Sequence, residues 1–347
     1  MAEDKIGTLV VGGGWVSQIS YLDYFYNNES APLVAIAEPN PDTQEHLKKT
    51  YPDTLVTDDY EGLLDRDDVQ LVIICTPHNL HHPMVTRALK AGKHVICEKP
   101  IAVSVAESDE MIECARECGK KLFVGLNMRY DPRNQAIAQL MQDGQLGKVF
   151  LARVNYMGYE VKRFEDPNNW KGDLKRAGGG VLLDGGYHIV DLLNMYFGRA
   201  KSVQASGGRL VIGTEGKGED NALLQIEFES GIVASLFASF TIRNVGCDDE
   251  PTLILGFDFF GTEASLFGSY DSPTRESKLD LISHDGRRAI DIANVTVPEI
   301  KADFLASIRT DSTPLVTAMD ARNAVAVVEA AYASMSDGGR VNVDWKD

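Results

Sequence analysis

Along the first 125 residues, short apolar runs alternate with amphipathic stretches. Residues 6–11, 34–37, 71–75, 95–97 and 122–124 form short apolar runs, rich in β-branched side chains and too short for helices. Between them, residues 16–26, 42–50, 80–91 and 105–118 carry a helical pattern. Apolar strands that alternate with helices predict a parallel sheet covered on both faces, joined by right-handed crossovers. The first part of the chain is therefore expected to be a doubly wound α/β domain over residues 1–125.

After Asn127 the rhythm changes. A helix is expected over 132–141 and a strand over 148–157, then a loop rich in charge, Asn and Gly over 160–179 and a helix over 180–197. From 202 to 267 strand-like segments follow one another, and Glu229-Ser230-Gly231 between 223–228 and 232–240 marks a hairpin. Two helices, 300–309 and 318–336, close the chain. Strands without intervening helices predict an α+β domain with a large, mainly antiparallel open sheet over residues 126–347.

Composition agrees with this division and narrows the function. At 347 residues the length suggests about 2.3 domains. A net charge of −17, from 34 basic and 51 acidic residues, argues against nucleic acid or an anionic membrane as partner, since both require a positive footprint. No apolar stretch is long enough to span a bilayer, and the N-terminus lacks the basic and apolar regions of a secretory signal. Five cysteines (Cys75, Cys97, Cys114, Cys118, Cys247) show no disulfide framework and fit a reducing, cytoplasmic location. His78, His81 and His82 suggest a metal at first sight, but no third ligand accompanies them, and no metal is expected.

Three segments carry chemistry. Gly12-Gly13-Gly14-Trp15-Val16-Ser17 ends the first strand and opens the first helix. Gly12 permits a tight turn there, and Gly14 lets backbone amides approach a pyrophosphate at the helix N-terminus. Ser17 replaces the third glycine of this fingerprint, and Glu38 at the end of the second strand can accept the ribose hydroxyls of the adenosine half. A carboxylate there repels a 2′-phosphate, so NAD is expected over NADP. The second segment is Glu98-Lys99-Pro100, which follows directly from the strand at 93–97. Ligands of doubly wound sheets bind at the carboxyl ends of strands, so Lys99 is placed to exchange a proton with a substrate hydroxyl. Pro100 fixes the backbone, a position suited to a cis peptide. The third segment is the glycine-rich stretch 178–191, where Asp184 and His188 stand four apart and share one face of a helix. A carboxylate beside His188 can orient its ring and support the imidazolium.

Taken together, these segments resemble the Gfo/Idh/MocA family (glucose–fructose oxidoreductase, inositol dehydrogenase, rhizopine catabolism). Further markers are Thr76-Pro77-His78-Asn79-Leu80-His81, the string Ala91-Gly92-Lys93-His94-Val95-Ile96-Cys97-Glu98-Lys99-Pro100 and Asn127-Met128-Arg129-Tyr130. The resemblance implies a Rossmann domain for NAD followed by a substrate domain that also mediates homodimer or homotetramer formation through its sheet. It implies catalysis by Lys99, Asp184 and His188. Cofactor contacts are expected from Gly12, Gly14, Trp15, Val16, Glu38, Thr76, Pro77, His78, His81, Glu98, Lys99 and Asn127. Substrate contacts are expected from Lys99, Arg129, Tyr159, Trp170, Asp184, Tyr187 and His188, with the loop 159–175 setting specificity. The implied reaction is oxidation of a secondary hydroxyl of a cyclic polyol, sugar or sugar derivative to a ketone, or its reverse. Alternatives are a redox-neutral glycosidase or epimerase that retains NAD, and a dinucleotide and sugar sensor without turnover.

Overall fold

The computed structural model describes residues 5–212, 218–243, 252–272 and 274–346. They fall into two compact units. The first comprises Met1–Ala102, Ala106–Gly125 and Lys301–Met319; the second comprises Val103–Val105, Leu126–Ile300 and Asp320–Asp347.

The first unit holds six strands: β1 (Thr8–Val11), β2 (Leu33–Ala37), β3 (Leu55–Thr57), β4 (Leu71–Ile74), β5 (His94–Cys97) and β6 (Leu122–Val124). Their order is β3-β2-β1-β4-β5-β6 and every pairing is parallel. Such a sheet is covered on both sides, which explains why β1 and β4 are buried at every position. Five of the strands follow the apolar runs of the sequence. The sixth, β3, has three residues, one of them exposed, and so leaves no apolar run to read.

The helix Ile300–Thr310 also departs from expectation. The sequence rhythm groups it with the second domain, yet residues 301–319 pack with the first unit. Phe304, fully buried, stacks on Phe123 of β6 with ring centroids 4.7 Å apart, so burial of one aromatic ring draws this distant segment back.

The second unit is built on a nine-stranded sheet. Its strands are β7 (Val149–Tyr159), β8 (Ala200–Gly208), β9 (Asn221–Phe228), β10 (Val233–Ser239), β11 (Thr252–Gly261), β12 (Ala264–Asp271), β13 (Glu276–Ser283), β14 (Gly286–Ala289) and β15 (Val341–Asn342), in the order β14-β13-β12-β11-β7-β10-β9-β8-β15. All pairings are antiparallel except β7 with β10. The hairpin read at Glu229-Ser230-Gly231 joins β9 to β10. Alternation along β7 buries Ala152, Val154 and Tyr156 and leaves Leu151 and Arg153 exposed. The buried face carries the helix Tyr187–Phe197, whose Phe197 ring meets Phe228 and Phe259 edge to face.

The stretch expected as one helix over 180–197 is not uniform. Leu182–Gly186 forms a π-helical turn that leads into the α-helix Tyr187–Phe197. A side chain at Gly185 would run into the ring of Tyr156 on β7, so the glycine lets the turn seat directly on the sheet. Among the described residues no helix is long and apolar enough to cross a membrane. Cys75, Cys97, Cys114 and Cys118 carry free thiols, and Cys247 lies outside the described residues.

Candidate active site

In the first unit the carboxyl ends of β1, β4 and β5 lie side by side along one sheet edge, because the three strands are adjacent and parallel. The glycine loop leaves β1. Gly12 has φ +93°, and a Cβ there would strike the Cys75 carbonyl oxygen, which restricts the position to glycine. A Cβ on Gly14 would meet nothing within 4 Å, so the loop is open where the helical run 15–26 begins. Trp15 is exposed at this mouth, Val16 is half-buried, and buried Ser17 donates its hydroxyl to the Gly14 carbonyl at 2.8 Å. Ser17 thus fills the place of the third glycine with a hydrogen bond of its own.

Glu38 follows β2 and is nearly buried. One carboxylate oxygen accepts the Gly13 N–H at 2.6 Å and the other accepts the Asn40 N–H at 2.8 Å. An ionised carboxylate has about four acceptor sites, so capacity for ribose hydroxyls remains. At the end of β4, the buried Thr76 hydroxyl has no hydrogen-bond partner among the described residues. An open glycine turn, a carboxylate fixed beside it and an orphaned hydroxyl on the same edge fit a dinucleotide.

Beyond β5, Glu98 accepts the Tyr21 hydroxyl at 2.7 Å and the Lys99 N–H at 3.1 Å. Burial, followed by the Glu98 charge, pushes the Tyr21 phenol well above its ordinary range, which keeps it a donor. Lys99 is half-buried and the Lys99–Pro100 peptide is cis. His78 is buried beside the half-buried Pro77. The His81 ring, fully buried, lies between two carbonyls: Nδ1 is 2.7 Å from Pro100 O and Nε2 is 3.0 Å from Thr76 O. His81, expected among the cofactor contacts, thus ties the loop after β4 to the loop after β5.

In the second unit, Asp184 sits in the π-helical turn with His188 one turn on, and both are nearly buried. The Asp184 carboxylate accepts a hydrogen bond from Lys171 Nζ at 2.5 Å. Glu219 anchors the start of the turn: its carboxylate accepts the N–H groups of Gly180 and Leu182 at 3.0 and 2.9 Å and the Tyr332 hydroxyl at 3.0 Å. Burial raises the Glu219 carboxyl above its usual range, and these hydrogen bonds oppose that rise. Neither Glu219 nor the Lys171 pairing has a signal in the sequence, since both partners lie far from Asp184 along the chain.

The remaining expected residues divide. Tyr159 lies nearly buried at the end of β7 under the Arg243 guanidinium, whose carbon is 5.0 Å from the ring centroid. Trp170 is half-buried, 5.9 Å from Lys171 Nζ. Asn127 is exposed in a short 3₁₀ turn. Arg129 is buried against Asp191 and Asp320, and the Tyr187 hydroxyl, fully buried, donates to Ala321 O at 2.7 Å. These two side chains serve the interior of the unit.

Comparison with known proteins agrees with this two-part architecture. Residues 6–126 match the profile described as oxidoreductase family, NAD-binding Rossmann fold, and residues 134–267 match the GFO/IDH/MocA C-terminal domain. The chain belongs to the Gfo/Idh/MocA oxidoreductase family. Among its relatives, 1,5-anhydro-D-fructose reductase of Ensifer adhaerens is 32% identical over 212 residues, 60% of this chain and 59% of the reductase's length. Levoglucosan dehydrogenase of Pseudarthrobacter phenanthrenivorans is 28% identical over 291 residues, 76% of this chain and 73% of its own. A solved levoglucosan dehydrogenase in complex with NADH superposes with a TM-score of 0.85 over 99% of this chain and 100% of that one, at 22% identity, which establishes the shared fold. The Rossmann unit is the NAD-binding one.

Proposed function

We propose that this protein is an NAD-dependent dehydrogenase that oxidises a secondary hydroxyl of a neutral cyclic polyol, sugar or sugar derivative to a ketone, or runs the reverse reduction. The observation that carries this reading is the shared edge of β1, β4 and β5. Lys99 follows β5, the glycine loop follows β1 and the Thr76 hydroxyl follows β4 along that edge, which supports a common role. When bound, NAD supplies the hydride acceptor at nicotinamide C4. Gly12, Gly14, Trp15, Val16 and Glu38 would hold its adenosine and pyrophosphate half. Thr76, Pro77, His78, Glu98 and Asn127 would meet the nicotinamide half. Lys99 donates a hydrogen bond to the reacting hydroxyl, His188 takes up its proton, and Asp184 orients the imidazole. The Glu38 carboxylate favours NAD over NADP.

Charge supports a neutral substrate. Lys171 is neutralised by Asp184 and Arg163 by Glu160, and Lys175 and Arg176 lie exposed. The names of the relatives point to sugars as the substrate class. We further propose assembly as a homodimer or homotetramer through the open face of the nine-stranded sheet, where Leu151 and Leu223 are exposed. Free thiols at the four described cysteines support a cytoplasmic location.

The deciding experiment mixes the protein with NAD and a panel of inositols, hexoses, sugar acids and sugar phosphates and follows absorbance of reduced nicotinamide. Turnover with a neutral member is expected. Measured NAD binding without turnover of any member would overturn the reading in favour of a redox-neutral enzyme or a sensor.

A further inference from the structure

The loop that precedes the glycine-rich turn reaches Asp184 through Lys171. Lys171 Nζ lies 2.5 Å from Asp184 Oδ2, and the two side chains are only 19% and 9% exposed. Exposed ion pairs contribute little, but a largely buried carboxylate that loses its cation is left uncompensated. The lysine is also placed firmly. It belongs to the 3₁₀ turn Trp170–Gly172, which Asn169 caps by accepting the Lys171 N–H at 3.1 Å, and the Trp170 ring lies 5.9 Å from its ammonium. The helical turn that follows is capped in the same way by Asp173, which accepts the Lys175 N–H at 3.0 Å. On the other side, Glu219 fixes the backbone that carries Asp184.

We propose that Lys171 is a positioning residue that holds Asp184 as an oriented carboxylate, so that Asp184 in turn can orient His188. This rests on the dehydrogenase reading above. Charged and titratable groups facing Asp184 include Lys171 on the 3₁₀ turn and Tyr156 on β7, with Glu160 and Arg163 paired near Tyr156, and His188 follows four residues on. Lys171 is in direct contact with the carboxylate. Without it, the nearly buried carboxylate loses both its direct cationic partner and the hydrogen bond that fixes its orientation.

The test compares Lys171→Ala, Lys171→Met and Lys171→Arg in the full-length protein with the substrate found from the panel. In the Ala and Met variants kcat should fall about 100-fold while KM stays within about threefold, the size expected when one acid–base group loses its orientation. Lys171→Arg should recover much of the loss. NADH binding measured by fluorescence should be unchanged in all three, which shows that each variant folds. Unchanged kcat with a raised KM would overturn the proposal and make Lys171 a substrate contact only.

A second measurement does not depend on turnover. Under trace acetylation read by mass spectrometry, Lys171 should label more slowly than exposed Lys175, and Asp184→Asn should speed its labelling. Equal rates with and without the Asp184 carboxylate would overturn the proposal. A silent substrate panel would instead count against the dehydrogenase reading, so the two failures are distinguishable.

Discussion

Arg129 grips Asp191 through two parallel hydrogen bonds, Nε to Oδ2 at 2.9 Å and Nη2 to Oδ1 at 2.7 Å, with both side chains buried. A third guanidinium nitrogen reaches Asp320 at 3.1 Å. The pair ties a short 3₁₀ turn at Asn127–Tyr130 to the helix that bears His188. Burial pushes the Asp191 carboxyl up to about 6, and the adjacent guanidinium opposes that rise. Loss of one partner strands a buried charge. Asp191→Ala should therefore cost about 3–5 kcal/mol of stability in denaturant titration. Asp320→Ala, at the more exposed end, should cost far less, and equal losses would show that the bidentate pair has no special weight.

Glu38 should control cofactor choice. Its carboxylate is held by the Gly13 and Asn40 amides, where a ribose 2′-phosphate would meet its charge. Glu38→Ala should weaken NADH binding about tenfold or more, the scale of one lost charge-assisted hydrogen bond. Binding of NADPH should improve in the same variant. Fluorescence titration with both nucleotides reads the ratio, and an unchanged ratio would remove Glu38 from cofactor selection.

Lys99→Ala should abolish turnover and leave NADH binding nearly intact. The lysine follows β5, and the neighbouring Glu98 accepts from Tyr21 and from the Lys99 N–H. Near-full activity on the native substrate would show that the proton leaves by another route.

Gly185→Ala tests the seat of the π-helical turn. The added methyl would meet the Tyr156 ring, so either the ring or the turn must move. A loss of about 1–3 kcal/mol is expected for such overpacking. Activity should fall further than stability alone explains, because Asp184 is the preceding residue. Thermal unfolding and kcat measured on the same sample separate the two effects.

Acid should destabilise the first unit through His94. Its Nδ1 accepts the Lys121 N–H at 3.1 Å, which requires the neutral ring. Burial, then the charges of Lys120 and Lys121, lower its pKa from 6.5 to about 4. The unfolded chain therefore binds a proton that the folded chain refuses. The stability this group contributes is complete above pH 6.5 and is lost as pH falls towards 4, with a slope of at most about 1.4 kcal/mol per pH unit. His94→Gln should flatten that part of the stability curve, and a curve identical to the wild type would exclude His94 as the source.

Much of the fold was legible because its strands are buried on both faces. Leu71–Ile74 must then be apolar throughout and Thr8–Val11 nearly so, with the Thr8 hydroxyl satisfied by the Ile6 carbonyl, and a sheet of such runs alternating with helices has few alternatives. The glycine loop was legible for a similar reason, since the backbone at Gly12 leaves no room for a side chain, and that constraint is local. β3 was not legible, because an exposed Leu55 in a three-residue edge strand breaks any pattern. The parallel pairing of β7 with β10 was not legible either, since period-two alternation fixes which face is buried and not which strand lies alongside.

What the sequence by itself determined is a set of local features: a glycine turn after β1 with an acid after β2, a lysine at a strand end, and a carboxylate and a histidine four residues apart. Those depend on neighbours in the chain. Tertiary structure alone decided which side chains support them. Lys171 meets Asp184 across 13 residues, Tyr21 meets Glu98 across 77, Tyr332 meets Glu219 across 113, and Phe304 returns to stack on Phe123. Such contacts are set by burial and by the need to satisfy polar groups taken out of water, conditions that exist only once the chain has folded.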